Sequence, residues 1–139
     1  VPGLDGQKMS KSYHNTIDIF GDLKETKKRV MRIVTDSKTV EEPKDPDTCN
    51  LFALYRLFAT DAERDELAAR YRAGGMGYGE VKKMLFEKVA TYFEPFRRRR
   101  EEFERDPERL AAVLRRGAER ARSEMRQTLQ KVRQLVGLE

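Results

Sequence analysis

Apolar residues recur at helical spacing through the second half of this chain, and this pattern constrains the fold more than any other feature. Asp106 suits a helix N-cap and Pro107 the first helical position, and an apolar stripe follows them. Its members are Leu110, Val113, Leu114, Ala118, Ala121, Met125, Leu129, Val132 and Val136. A second amphipathic segment covers residues 80 to about 105, where Pro95 is expected to kink or split the helix. No segment predicts a convincing set of strands, so the expected fold class is all-α, a helical bundle.

Capping residues predict shorter helices upstream. Asp22 lies three residues before Glu25, and Thr60 lies three residues before Glu63, which is the spacing of a capping box. The glycine pair that begins at Gly74 ends the helix that Thr60 opens. The predicted helices cover residues 22–34, residues 48–59 and the stretch from 61 to that glycine pair. Residues 1–16 contain one proline and two glycines, and we expect them to form an irregular loop in front of the bundle.

The positive charge of the chain is concentrated near its end. Residues 1–96 contain 16 basic and 16 acidic residues, whereas residues 97–139 contain 13 basic and 8 acidic residues. The net charge of +5 therefore belongs to the last helical region, which is the pattern of a surface for RNA or another polyanion. A solvated helix face would also account for it.

Several classes of protein are excluded by what the sequence lacks. No apolar run is long enough to span a bilayer and no signal-peptide pattern opens the chain, so we expect a cytoplasmic protein with no membrane contact. The single cysteine cannot form an internal disulfide or a zinc site. With one histidine and no His/Cys/Asp grouping at ligand spacing, the sequence offers no nucleophile–base pair. The chain opens on Val1 and not on an initiator methionine, so we expect a piece of a longer protein.

One pentapeptide carries the candidate chemistry: Lys8, Met9, Ser10, Lys11 and Ser12. Two lysines three residues apart, with hydroxyl groups beside them, form a compact cationic surface that suits a polyphosphate. Each charge-assisted hydrogen bond to a phosphate oxygen contributes about 1.5–3 kcal/mol. Glycines before the pentapeptide permit positive φ angles and a mobile loop. Taken alone, the pattern would also fit ordinary solvated lysines.

The pentapeptide reads KMSKS and resembles the second signature of the class I aminoacyl-tRNA synthetases. The resemblance extends along essentially the whole chain through Val34-Thr35-Asp36-Ser37, Asn50-Leu51-Phe52, Gly77-Tyr78-Gly79 with Lys82, and the terminal basic helix. Together these stretches resemble the C-terminal part of the bacterial tryptophanyl-tRNA synthetases. The resemblance implies an enzyme that activates tryptophan with ATP, releases pyrophosphate and charges tRNA(Trp). The chain by itself is expected to be inactive, because the half that holds the tryptophan pocket is missing.

The same resemblance assigns roles within the loop. Lys8 and Lys11 would act in catalysis by binding the ATP phosphates, and Lys11 would contact the departing pyrophosphate. Ser10 and Ser12 would bond phosphate or hold the loop, and the backbone at Met9 would lie near the adenine. Mg²⁺ would accompany ATP, although no ligand for it can be identified in the sequence. Some relatives carry an iron–sulfur cluster in this region, and the single cysteine excludes both that cluster and zinc here.

The resemblance also divides the chain and names its partners. Residues 1–21 would be the KMSKS catalytic loop and linker, and residues 22–139 an α-helical domain for the tRNA anticodon. The candidate tRNA contacts are Arg97, Arg98, Arg100, Arg115, Arg116 and Arg122. Four consecutive arginines wind almost once around a helix, so they cannot all face one ligand. The intact enzyme would be a homodimer, and we expect a monomer for this piece.

Two alternatives stay open. Tyrosyl-tRNA synthetases are a sister family with much the same layout, although the stretches 35–37 and 77–79 favour tryptophan. A non-catalytic helical module that binds RNA or a protein partner would also fit the terminal charge.

Overall fold

The computed structural model describes residues 1–138 and divides the chain into two compact units, Val1–Arg97 and a second that begins at Arg98. A 3₁₀ turn at Lys11–Tyr13 precedes the helices. These are α1 (Leu23–Met31), α2 (Asn50–Tyr55), α3 (Asp61–Ala73), α4 (Tyr78–Arg105) and α5 (Pro107–Leu135). No strand forms among the described residues, where an isolated antiparallel bridge joins Pro2 to Lys8. The predicted all-α class is confirmed.

Helix α1 begins where the sequence predicts and ends earlier. The Asp22 carboxylate accepts from the backbone N–H of Lys24 at 2.6 Å and of Glu25 at 3.2 Å, as an N-cap does. The predicted end at residue 34 is wrong, because the backbone N–H of Val34 donates to the Leu4 carbonyl at 2.8 Å. A contact with the N-terminal loop thus replaces the last turn of the helix.

Helix α2 is shorter than predicted, and α3 matches its prediction. The N–H groups of Leu57 and Phe58 donate three residues back, at 3.2 and 3.1 Å, so the chain tightens after α2 and leaves the α-helix. At the start of α3 the Thr60 hydroxyl accepts from the Glu63 N–H, and the Glu63 carboxylate accepts from the Thr60 N–H at 2.8 Å. The capping box is therefore confirmed, and Gly74 ends the helix at a φ of 78°.

Helix α4 runs unbroken through Pro95, so of the two predicted effects the split is wrong and the kink stays a prediction. Proline removes one backbone donor and disturbs the preceding turn. The Arg97 guanidinium donates to the Ala90 carbonyl in that turn and to the Ile19 carbonyl at 3.4 Å. The bond to Ala90 supplies a donor near the place where proline removes one, and the bond to Ile19 joins the helix to the linker before α1.

The core of the first unit lies among α1 to α4. Its fully buried side chains are Tyr55, Tyr71, Ile33, Leu51, Leu54, Leu67, Met76, Leu85, Val30, Val81 and Val89. From the N-terminal segment, Leu4, Met9 and Ile17 pack against this core. The loop and the helices therefore share one apolar interior. The functional division predicted after residue 21 stays a prediction, since the compact units divide at Arg97 instead.

The second unit contains the end of α4 and all of α5. Asp106 caps α5 by accepting from the Arg109 N–H at 2.9 Å, and Pro107 occupies the first turn, as predicted. The Arg109 guanidinium lies 5.2 Å from the centre of the Phe103 ring. No described residue of α5 is buried, and Leu114 and Met125 in the apolar stripe are 64% and 68% exposed. The stripe predicted from the sequence is present on α5 and faces solvent.

Candidate phosphate-binding loop and basic surface

A buried asparagine closes the loop that carries the pentapeptide. Asn15 is 3% exposed, and its amide oxygen accepts from the Ser10 backbone N–H at 2.8 Å. Its amide nitrogen donates to the Asp5 carboxylate at 2.8 Å and to the Lys8 carbonyl at 3.2 Å. One side chain thus bonds to three points of the loop. The bond from Asn15 lowers the pKa of Asp5, so the carboxylate stays ionised and continues to accept at neutral pH.

The loop needs its first glycine for space and its second for backbone conformation. A Cβ atom on Gly3 would lie 2.3 Å from the amide nitrogen of Asn15, which no side chain could tolerate. Gly6 adopts a φ of 84°, in the left-handed region that glycine enters most readily. The predicted positive φ angle is therefore found at Gly6. At Gly3 the need for glycine comes instead from the close approach of the Asn15 side chain.

The pentapeptide presents its lysines and Ser12 to solvent and turns Met9 and Ser10 toward the protein. Lys8 and Lys11 are exposed, whereas Met9 and Ser10 are half-buried, and Met9 packs against the core. Within residues 1–138 neither ammonium group makes a side-chain hydrogen bond or an ion pair. Both charges are therefore available to an anion.

The two serines differ in their surroundings. The Ser10 hydroxyl accepts from the Ser12 N–H at 3.3 Å and so caps the 3₁₀ turn at Lys11–Tyr13. The turn ends at His14, whose φ of 53° is left-handed and whose N–H donates to the Lys11 carbonyl at 3.1 Å. Ser12 is exposed. Of the two predicted roles for hydroxyl groups, holding the loop fits Ser10, and bonding phosphate is open to Ser12.

Two other stretches singled out in the sequence meet each other instead of the loop. The Tyr78 hydroxyl donates to the Asp36 carboxylate at 2.7 Å. This bond lowers the pKa of Asp36, while burial first and then the same bond raise the pKa of Tyr78. The buried Lys44 ammonium donates to the carbonyls of residues 39, 40 and 42, and it lies 5.2 Å from the centre of the Tyr78 ring. These stretches build the packing beneath the connection from α1 to α2.

Nothing in the sequence pointed to Asn15 or Asn50 as residues that hold the loop. The amide nitrogen of Asn50 donates to the Gly3 carbonyl at 3.0 Å, which joins the start of α2 to the start of the loop. Asn50 opened one of the stretches on which the resemblance rests, but that resemblance gave it no role in the loop. Asn15 had only its place at the end of a loop, and its three bonds depend on tertiary structure.

The candidate tRNA-contacting arginines are in different environments. Arg97 lies in the first unit, and its guanidinium is committed to two carbonyls. In the second unit, Arg100 pairs with Glu104 at 2.7 Å. The remaining candidates, Arg98, Arg115, Arg116 and Arg122, are exposed. A role in RNA binding stays a prediction for all six.

Helix α5 places some of these arginines on a common face. Arg115 and Arg122 are seven residues apart, which is about two helical turns or 10 Å. Arg122 also lines a shallow groove with Arg126 and with the carboxylate-bearing Glu119. Arg116 points roughly 100° away from Arg115 around the helix axis. Two exposed guanidinium groups at this spacing can each contact a phosphate of the same nucleic acid.

Lys82, which accompanies Gly77-Tyr78-Gly79 in the resemblance, contacts the protein. Its ammonium donates to the Met31 carbonyl at the end of α1, at 3.2 Å, and burial lowers its pKa.

Among residues 1–138 no group of three His, Cys, Asp or Glu side chains could hold a metal ion. None of the described helices has the length and apolar character that crossing a bilayer requires.

Comparison with known proteins gives consistent matches. A family model described as "tRNA synthetases class I (W and Y)" matches residues 1–94. The tryptophan–tRNA ligase of Rhodopirellula baltica is 51% identical over 138 residues, which is 99% of this chain and 43% of that protein. That of Fusobacterium nucleatum is 44% identical over 99% of this chain and 42% of its own length.

A solved structure resembles the chain over almost its whole length. The crystal structure of tryptophanyl-tRNA synthetase from Campylobacter jejuni, complexed with ADP and tryptophan, superimposes with a TM-score of 0.87. Its sequence is 44% identical, and the match covers 99% of this chain and 43% of that one. The chain thus spans less than half the length of the relatives it matches.

Proposed function

Because this chain belongs to the class I tRNA synthetases of the tryptophan and tyrosine family, we propose that it is the C-terminal part of a tryptophan–tRNA ligase. The high identity to tryptophan–tRNA ligases over 99% of the chain supports tryptophan as the amino acid. The intact enzyme would activate tryptophan with ATP and transfer it to tRNA(Trp). The chain would contribute the loop that binds the ATP phosphates and helices that bind the tRNA.

The observation that carries the proposal is the pair of exposed lysines on a loop closed by Asn15. In adenylate formation the amino-acid carboxylate attacks the α-phosphorus, and the bond from that phosphorus to pyrophosphate breaks. Negative charge accumulates on the departing pyrophosphate. Lys8 and Lys11 can donate to its oxygens without first breaking an ion pair, since they have none within the described residues. ATP enters as its magnesium complex.

The second unit would serve the other substrate. Exposed arginines on α5 can neutralise phosphates of tRNA(Trp), and this contribution to affinity must weaken as salt rises. Base recognition requires contacts to unstacked bases of the anticodon, for which residues 22–139 would form the domain. We also propose that the intact protein is a homodimer in the cytoplasm, as the resemblance implies.

Amino-acid-dependent exchange of labelled pyrophosphate into ATP tests the function. The intact protein that contains this sequence should exchange with tryptophan and not with tyrosine, and the present chain alone should not exchange at all. Exchange with tyrosine would favour the sister enzyme, which the family model also covers. A protein that exchanges with neither amino acid, yet binds tRNA, would support a helical RNA-binding module.

A further inference from the structure

The base of the phosphate-binding loop rests on one side chain of helix α2. Asn50 is the first residue of α2, and its amide nitrogen donates to the Gly3 carbonyl, 47 residues earlier, at 3.0 Å. A Cβ atom built on Gly6 would lie 3.7 Å from the Asn50 side-chain carbonyl carbon. The Asn50 amide therefore lies directly against the turn from Gly3 to Gly6.

Few bonds connect this loop to the helices. Within the described residues, two hydrogen bonds join residues 3–15 to the chain beyond residue 16. One is the Asn50 bond, and the other runs from the Val34 N–H to the Leu4 carbonyl at 2.8 Å. Both end at the start of the loop, whereas the bonds of the Asn15 side chain stay inside it. The position of the loop relative to the helices therefore depends on these two bonds, together with the packing of Leu4 and Met9 against the core.

Only half of the Asn50 amide is used. Its oxygen is buried and has no hydrogen-bond partner within the described residues. A buried acceptor without a partner destabilises the folded state, so this side chain is a poor choice for stability alone. Its donor makes the contact with the loop. Alanine at this position would remove both the unpaired acceptor and the donor, and the two effects on stability would offset each other.

We propose that Asn50 is a positioning residue for the ATP phosphates, which acts by holding Gly3 and so the loop that carries Lys8 and Lys11. It does not touch the nucleotide. The bond to Gly3 sets where the two ammonium groups lie when pyrophosphate departs. This inference rests on the proposed function, and it adds a residue of the helical domain to the determinants of adenylate formation.

Three variants of the intact ligase separate this role from a structural one. Asn50→Ala removes the donor, and Asn50→Asp keeps the size of the side chain but cannot donate to Gly3. Thr48→Ala is the matched control, because it also removes one hydrogen bond beside α2, from the Thr48 hydroxyl to Asp45 at 2.9 Å, without touching the loop. Pyrophosphate exchange is measured against ATP and against tryptophan, together with the melting temperature.

The expected result is a selective loss in the reaction with ATP. Asn50→Ala should lower kcat/KM for ATP about tenfold, as the loss of one positioning bond allows, with the KM for tryptophan unchanged. Asn50→Asp should lose at least as much, and Thr48→Ala should match the parent enzyme. Asn50→Ala and Thr48→Ala should melt within a few degrees of the parent, whereas Asn50→Asp should melt lower because its carboxylate faces the Gly3 carbonyl.

Other results would overturn the inference. If Asn50→Asp were as active as the parent, the side chain would act by filling space and not by donating. If Asn50→Ala and Thr48→Ala had equal kcat/KM for ATP, Asn50 would have no positioning role. The same conclusion would follow if Asn50→Ala lost activity toward tryptophan and melting temperature along with its activity toward ATP. A parent protein without exchange activity would instead reject the proposed function, so the two failures are distinct.

Discussion

The Tyr78 hydroxyl donates to the Asp36 carboxylate at 2.7 Å, although 42 residues separate the two in the chain. Tyr78 is the first residue of α4, and Asp36 lies in the connection between α1 and α2. The bond therefore ties the long helix to a segment that has no regular structure of its own. It also explains why two polar stretches far apart in the sequence belong together without forming a reactive site.

Removing that hydroxyl should destabilise the first unit modestly. Tyr78→Phe eliminates a hydrogen bond to a charged acceptor, and because the bond is exposed we expect a loss of about 1 kcal/mol in the free energy of unfolding. The pKa of Asp36 should rise toward its ordinary value. Urea unfolding and NMR titration measure the two effects. Tyr92→Phe is the control, since the Tyr92 hydroxyl makes no hydrogen bond in the described structure, and an equal loss there would contradict the assignment.

Stability at acid pH should depend on Glu63. The Lys88 ammonium first, and then the Thr60 backbone N–H, lower the pKa of Glu63 to about 2. Because its pKa is lower in the folded chain than in the unfolded chain, this carboxylate stabilises the fold above about pH 4.5, and the contribution is lost as the pH falls toward 2.

Glu63→Gln should therefore lower the melting temperature at pH 7 and reduce its decline between about pH 4.5 and pH 2. A series of thermal melts across that range makes the measurement. Glu66→Gln, which changes an exposed carboxylate on the same helix, should follow the parent curve. Parallel curves for Glu63→Gln and the parent would refute the assignment.

The same substitution should have opposite effects at two glycines. Gly3→Ala places a Cβ atom 2.3 Å from the buried Asn15 amide, so we expect a loss of about 1–3 kcal/mol as the loop is forced apart. Gly117→Ala adds a Cβ with no neighbour within 4 Å in the middle of α5, and it should stabilise the helix by about 0.5–1 kcal/mol. Circular dichroism during urea unfolding compares the two, and equal effects would argue against the geometry of the loop.

Lys11→Ala in the intact ligase should slow adenylate formation more than it weakens tryptophan binding. Loss of one charge-assisted bond to the departing pyrophosphate corresponds to a fall in kcat of about 10- to 150-fold. The KM for tryptophan should be unchanged. Lys24→Ala, an exposed lysine at the start of α1, is the control. Equal losses in kcat and in tryptophan affinity would argue against a role in the transition state.

The arginines of α5 should contribute to tRNA affinity through phosphates. Arg115→Ala and Arg122→Ala should each weaken binding of tRNA(Trp) to the intact protein and reduce the slope of log affinity against log salt by about 0.7–0.9. Fluorescence anisotropy across a salt series measures this. Arg64→Ala removes an arginine that pairs with Asp61 on α3 and should leave the slope unchanged. An unaltered slope for both α5 variants would mean that tRNA binds elsewhere.

Local patterns predicted the parts of the fold that local forces decide. The caps at Thr60 and at Asp106 need only residues three positions away, and both formed as predicted. The end of α1 was wrong because the Val34 N–H bonds to Leu4, thirty residues earlier in the chain. No periodicity encodes such a partner.

For the candidate site too, the sequence predicted the features that depend on local residues and not those that depend on tertiary contacts. The lysine pair could be predicted from its own residue types, since charge and spacing suffice to suggest an anion. The support of the loop could not, because the bonds of Asn15 and Asn50 depend on backbone groups that only the tertiary structure brings near. The exposure of the apolar stripe on α5 could not be predicted either. The spacing of apolar residues predicts that a helix has an apolar face, but it does not predict whether another element packs on that face.

The buried amide of Asn15 has a thermodynamic consequence for the loop. Because its three bonds fix the backbone from Asp5 to Ser10 during folding, the cost in conformational entropy falls on the folding step and not on the capture of an anion. Under the proposed function, binding of a polyphosphate would require the two exposed lysine side chains to rotate but would not require the backbone they extend from to become ordered. The calorimetric signature should be a small entropic penalty, and the rate of capture should approach that of a preformed site.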